Sequence, residues 1–288
     1  MDRQQPAATA GRYRRHHPTD ACDCGHTGAL RRRSAQPRLN AITPRTPMDS
    51  RFRVDLIAAT PNPQQCVYAG MHQDYSEGFV AADRDNWPDE TRAGEICVKR
   101  LLAGERGHYG PLEHAQIVLN VGWFPHSVMQ QARTHRVGVS FDVQSMRYTG
   151  DRICKAANGE LPLEEVFYLR PVGDYSDRQG KKYHYSAELR QQDLELCQQA
   201  AARYRDLLQA GFAEEHARGI LPFDYRQHFV VSFSLRAFLH FMDLRAKLDA
   251  QQEIRELCDL LWPHLQQWAP EFAHWYKKSR LHKAKLAP

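Results

Sequence analysis

Gln116-Ile117-Val118-Leu119-Asn120-Val121-Gly122-Trp123 places Ile117, Leu119, Val121 and Trp123 at every second position, the spacing of a strand with one face in a core. Pro125 follows and suits the first turn of a helix carrying Met129, Gln130, Gln131 and Arg133, where its fixed φ fits and its missing N–H is not required. A strand running straight into a helix points to a mixed α/β chain.

Working outward, Phe52, Val54 and Leu56 alternate with polar residues as a second half-buried strand, and the folded domain is expected to begin near Met48. Val166-Phe167-Tyr168-Leu169 reads as a third strand, ending before Pro171. From Tyr185 to Leu208 the set Cys197, Ala200, Ala201, Tyr204, Leu207 and Leu208 recurs at helical spacing, with Gly211 placed to cap the end. Two further helices are expected, over Tyr225 to Leu248 and over Gln251 to Leu265, with Pro263 near the end of the second or kinking it.

The 288 residues fit one larger α/β unit with an added tail, and 42% hydrophobic residues suffice for a core. The net charge of +5 lies entirely in the first 48 residues, which hold nine arginines against three aspartates. That stretch has no apolar periodicity to offset the entropy of ordering, so residues 1–47 are expected to form a disordered basic tail. Its Cys22-Asp23-Cys24-Gly25-His26 is a poor half-site for zinc, which takes four ligands at wider cysteine spacing. Seven cysteines without regular spacing argue against a disulfide framework and for a reducing, cytoplasmic setting. No stretch approaches the roughly 18 apolar residues of a membrane span.

The densest polar segment is Gln131-Ala132-Arg133-Thr134-His135-Arg136-Val137-Gly138-Val139-Ser140-Phe141-Asp142-Val143-Gln144-Ser145-Met146-Arg147-Tyr148. Its arginines and hydroxyls suit a phosphorylated ligand, since guanidinium offers a fixed fork of donors; composition alone equally describes a solvated basic loop. Farther on, Arg236, His240 and Asp243 stand at i, i+4 and i+7 and share one helix face, whereas Arg245, nine positions from Arg236, points to the opposite side. Such a helix either sits between two ligand sites or two subunits, or is an ion-pair helix whose arginines are neutralised by Asp243 and Asp249.

Thr134-His135-Arg136 followed by Ser145-Met146-Arg147-Tyr148 resembles the hallmark of the flavin-dependent thymidylate synthases, an Arg-His-Arg triplet ahead of a Ser-x-Arg-Tyr element. Leu112-Glu113-His114, Ala217-Arg218 with Leu221-Pro222, and Leu244-Arg245 with Ala250-Gln251 and Glu253-Ile254 match other elements of that family in order. The resemblance covers roughly residues 50 to 265. It implies an α/β chain of the α+β type, with a central, mostly antiparallel sheet flanked by long helices and a catalytic domain over 48–288. It further implies conversion of dUMP to dTMP with FAD as cofactor, and methylenetetrahydrofolate and NADPH as co-substrates, in a homotetramer whose sites are shared between chains. Gln131, Ser145, Arg147, Arg218 and Arg245 are implied to contact dUMP, with Arg147 and Arg218 on the phosphate and Arg245 on the uracil. His114, His135, Arg136, Arg236 and His240 are implied to hold the flavin.

Four positions and one spacing depart from the family pattern. Thr134 opens the triplet with Arg133 one place earlier, eight residues separate Arg136 from Ser145 where seven is common, Ser234 replaces an asparagine, and Asp249 a flavin-side histidine. Val143 stands where Glu or Gln is common, and Asp142 or Gln144 can supply that acceptor instead. Arg245 and Ser145 are the candidate catalytic residues. Ser145 has no evident base to activate it as a nucleophile, so a substrate-binding hydroxyl is the better reading. Two other classes compete: a nucleotide-binding flavoprotein without synthase activity, and a nucleic-acid binder acting through the basic tail. A charge run is more often simply solvated, so no stable nucleic-acid partner is expected.

Overall fold

The computed structural model describes residues 48–103, 107–177 and 179–283. The expected tail and its Cys22-Asp23-Cys24-Gly25-His26 motif lie outside them. In chain order the main elements are β1 (Arg53–Ala59), α1 (Pro63–Gln73), α2 (Glu90–Cys97), β2 (Gln116–Pro125), α3 (His126–Ala132), β3 (Val139–Val143), α4 (Asp151–Ala157), β4 (Gly173–Ser176), β5 (Lys182–Tyr185), α5 (Ala187–Gln209), α6 (Glu214–Ala217), β6 (Arg226–Ser234), α7 (Leu235–Arg245), α8 (Gln252–Trp268) and α9 (Pro270–Ser279).

The central sheet is fully antiparallel in the order β1-β2-β6-β3, and β4 with β5 forms a separate hairpin. Ile117, Leu119 and Val121 of β2 face Phe233, Val231 and Phe229 of β6 across the ladder, and all six are buried. Each such side chain removed from water contributes about 1.5–3 kcal/mol, so this cross-strand block is the anchor of the main core. Trp123 leaves the face predicted for it. A bulge between Val121 and Phe124 puts Trp123 at φ 63 and half exposes it, and Phe124 takes the core position. A bulge inserts a residue and bends the strand, which here turns β2 into α3.

Two other predicted elements differ. The helix expected over Tyr225 to Leu248 is a strand followed by a helix: Phe229, Val231 and Phe233 alternate with Val230 and Ser232 along β6, and only from Leu235 does the helical period begin. Ser234 marks the change, its Oγ accepting from the N–H of Ala237 at 3.2 Å as an N-cap. Val166–Leu169 is not a strand but a buried crossing with one bridge, Phe167 to Tyr225. The 3-10 turn at Leu163–Glu165 and Pro171 leave it no room to extend.

The remaining helices follow their patterns. α5 is capped by Ser186, buries Cys197, Ala201, Tyr204 and Leu207 on one stripe, and ends before Gly211 at φ 84. That stripe packs with Ile153 and Ala156 of α4 in a second apolar cluster. α8 carries Pro263 near its C-terminal end. Among the described residues no helix is long and apolar enough to cross a membrane. α7 is buried along Leu235, Ala237, Phe238, Leu239, Phe241 and Met242, and of its polar residues Asp243 is buried while Arg236, His240 and Arg245 are half-buried.

Candidate functional site

Arg245 closes α7 and reaches the end of α3. Its Nε donates to Nε2 of His135 at 3.0 Å, and its Nη2 donates to the carbonyl of Gln131 at 2.9 Å and to Oγ1 of Thr134 at 2.6 Å. Among the described residues no protein group accepts from Nη1. Three residues of the polar stretch and the end of α7 therefore meet at one guanidinium, held in one orientation with a pair of donors unspent.

His135 is buried, and its ring stands 5.5 Å from that of His240 and 4.9 Å from that of Phe241. Burial, with Arg245 and His240 adding to it, pulls its pKa down to about 4. The ring is thus neutral near pH 7, and because Nε2 accepts from Arg245 the proton resides on Nδ1. Nδ1 of His240 is buried and has no hydrogen-bond partner among the described residues. Such an orphan calls for an explanation in function or in a bound group.

At the opposite end of α7, Arg236 donates through Nη1 to Oε1 of Glu113 at 3.3 Å, and Ser234 donates to the second oxygen of the same carboxylate at 2.5 Å. Gly138, at φ 66, passes so close that a Cβ there would lie 2.5 Å from Ser234 Oγ and 2.8 Å from Glu113 Oε2. His114 follows Glu113, is exposed, and lies against Gly70 of α1. Arg136 is exposed on the loop after His135. The third residue of the Arg236 face, Asp243, accepts from Tyr276 at 2.7 Å and from Arg280 at 2.8 and 3.0 Å. It neutralises a C-terminal arginine, not those of its own helix, so the ion-pair-helix reading is not what the structure shows.

Ser145, Arg147 and Arg218 form a second patch. Ser145 Oγ accepts only from the N–H of Arg147, at 3.4 Å, and no base lies within hydrogen-bond reach of it among the described residues. Arg147 is exposed and pairs with Glu215 at 3.5 Å, three residues before the exposed Arg218. No hydrogen bond or ion pair among the described residues joins this patch to Arg245. The single chain thus gathers Gln131, His135, His240 and Arg245, while Ser145, Arg147 and Arg218 make their hydrogen bonds and ion pairs elsewhere.

Residues without a predicted role complete the arrangement. Thr134, the departure in the triplet, accepts from Arg245. Glu113 holds both Arg236 and Ser234. Gln131 Nε2 donates to Gln251 Oε1, and Gln251 also lines a cavity of about 1140 Å³ with Arg170, Asp249 and Arg255. Oε1 of Gln144 is buried without a hydrogen-bond partner among the described residues, whereas Asp142 is exposed. Glu113, Gln144 and Gln251 all lie inside the motifs read from sequence, but only the fold reveals which of them face a partner.

The sequence profile described as "Thymidylate synthase complementing protein" matches residues 55–271. The chain belongs to the flavin-dependent thymidylate synthase family. The flavin-dependent thymidylate synthase of Haloarcula marismortui is 32% identical over 82% of this chain and 99% of its own, and that of Halobacterium salinarum is 32% identical over 82% and 100%. Among solved structures the fold matches a UMP/dUMP methylase from Streptomyces cacaoi bound with 5-Br dUMP, at a TM-score of 0.61 and 19% identity over 81% of this chain and 97% of that one. It also matches thymidylate synthase X from Helicobacter pylori with FAD and dUMP, at a TM-score of 0.59 and 16% identity over 78% and 98%. As a flavin-dependent thymidylate synthase, the chain is an enzyme with the antiparallel sheet and flanking helices that the resemblance implied.

Proposed function

We propose that the domain over residues 48–288 converts dUMP to dTMP, taking the carbon from methylenetetrahydrofolate and the reducing equivalents from NADPH, with FAD as cofactor. The observation that carries this reading is the clamped Arg245, whose Nη1 donors meet no acceptor among the described residues, bonded to the backbone of Gln131, whose side-chain Oε1 is likewise without a partner among them. A donor pair next to an acceptor complements the imide edge of a pyrimidine, where carbonyl and N–H alternate. In this half-buried setting, donors fixed before the reaction stabilise negative charge as it develops on the uracil, without the cost of reorienting.

Ser145, Arg147 and Arg218, with Gln144 as an acceptor, form the phosphate-side half of the nucleotide site. They share no hydrogen bond or ion pair with Arg245 among the described residues, and the homotetramer that the family resemblance implies would hold a nucleotide spanning both groups between subunits. The flavin side comprises His114, His135, Arg136, Arg236 and His240. These residues fit the group: the buried Nδ1 of His240 lacks a partner among the described residues, and Arg236, Arg136 and His114 supply donors of the kind a pyrophosphate takes. When bound, FAD supplies the hydride chemistry that no side chain can perform. The protein's part is to orient, to exclude water and to fix charge. Five described cysteines are free thiols, which fits a reducing cytoplasm.

The test is dTMP formation by the purified full chain supplied with FAD, methylenetetrahydrofolate, NADPH and dUMP. Yellow protein that binds dUMP yet forms no dTMP would leave a nucleotide-binding flavoprotein instead.

A further inference from the structure

Glu253 is fully buried, and its carboxylate accepts four hydrogen bonds. Oε1 takes Nε of Arg170 at 2.6 Å and the hydroxyl of Tyr168 at 3.2 Å; Oε2 takes Nη2 of Arg170 at 3.2 Å and Nε2 of Gln251 at 2.8 Å. The Arg170 pair outweighs the cost of burial and holds the carboxyl below its ordinary value, so it is ionised and can only accept. Gln251 must then turn its NH2 toward Glu253, where the other hydrogen meets Ser127 Oγ at 3.3 Å. Its carbonyl oxygen is left facing Gln131, which has to answer with its own NH2. One charge thus decides the direction of two amides in series, and leaves the side-chain oxygen of Gln131 without a hydrogen-bond partner among the described residues.

We propose that Glu253 is a positioning residue for substrate, acting through Gln251 to make Gln131 a hydrogen-bond acceptor for a donor of the bound nucleotide. The inference rests on the reading of Gln131 as a dUMP contact. The donor is either the ring N–H or the ribose 3′-hydroxyl. Glu253→Gln reverses the chain: an amide NH2 at position 253 faces the Gln251 NH2, Gln251 turns over, and Gln131 presents a donor to a donor.

The test is dUMP binding to the full, FAD-loaded chain by titration calorimetry. Glu253→Gln and Gln131→Ala are each expected to weaken binding about tenfold, the scale of one hydrogen bond, and the double variant to bind no worse than Gln131→Ala. Gln251→Met cuts the relay while keeping the Arg170–Glu253 pair, and is expected to match Gln131→Ala even if Glu253→Gln folds poorly. N3-methyl-dUMP binding wild type and Gln131→Ala alike assigns the ring N–H; the same result with 3′-deoxy-dUMP assigns the hydroxyl. Additive losses in the double variant, or wild-type affinity in both Glu253→Gln and Gln251→Met, overturn the relay and leave the nucleotide site standing. Wild-type affinity in Gln131→Ala overturns the contact itself, and absence of dUMP binding by the native chain overturns the reading of the site.

Discussion

Nε of Arg245 donates to Nε2 of His135 at 3.0 Å, joining the last residue of α7 to the centre of the Thr134-His135-Arg136 triplet. The contact requires a neutral imidazole, and burial supplies one. His135 has its folded pKa depressed to about 4 from an ordinary 6.5, so between those values the unfolded chain binds a proton that the folded chain does not. Stability is therefore complete above about pH 6.5 and is lost as pH falls toward 4. Melting temperature measured across that range should fall with pH, less steeply in His135→Asn. Equal slopes in the two proteins would contradict the assignment.

Arg226 tests a structural arginine against the functional ones. It is 1% exposed, donates to the carbonyls of Trp123 at 2.8 Å and Glu164 at 2.6 Å, pairs with Asp49, and lies over the rings of Phe52 and Tyr168. Removing one partner of a buried pair strands the other, at about 3–5 kcal/mol. Arg226→Ala should lower unfolding free energy by that amount in a urea titration. A loss under about 1 kcal/mol would mean that the pair is solvated.

Gly138 ties the β3 entry to the start of α7. Alanine there meets an unfavourable positive φ, costing roughly 1–2 kcal/mol, and a Cβ 2.5 Å from Ser234 Oγ. The Ser234–Glu113–Arg236 group must shift. Gly138→Ala should retain less FAD after gel filtration, read from the flavin absorbance per chain; undiminished flavin would show that this group does not serve the cofactor.

Arg147 and Arg218 are exposed and bonded to little else, which suits residues kept for an anion. Arg218→Ala should weaken dUMP by about tenfold or more, at 1.5–3 kcal/mol for a charge-assisted hydrogen bond, and leave deoxyuridine binding unchanged. A matching loss for deoxyuridine would take Arg218 off the phosphate.

Local patterns carried much of this structure, and tertiary context supplied the rest. Ile117, Leu119 and Val121 announce β2 because a two-residue apolar period, with β-branched Ile117 and Val121 in it, fits a half-buried strand. The same period in Phe229, Val231 and Phe233 is masked by their closeness to the helical set of Phe238 and Phe241, and only pairing with β2 and β3 separates strand from helix at Ser234. Trp123 could not be placed because a bulge depends on the partner strand. The triplet, Arg245 and Gln131 were legible as motifs. That Thr134 accepts from Arg245, that Gln251 faces Gln131, and that Glu113 serves both Ser234 and Arg236 are relations between residues more than a hundred positions apart, visible only once the chain is folded.

Arg245 bears the central claim, and turnover tests it most directly. Full-length wild type and Arg245→Ala, each loaded with FAD to the same absorbance, would be supplied with saturating dUMP, methylenetetrahydrofolate and NADPH, and dTMP followed over time. The loss of fixed donors at a developing charge predicts a fall in kcat of about 100- to 1000-fold, with Arg245→Lys only partly restored because a lysine cannot keep the fork that engages His135, Gln131 and Thr134 together. Turnover by Arg245→Ala within about threefold of wild type would contradict it, since one pre-oriented donor site of this kind is worth far more than that.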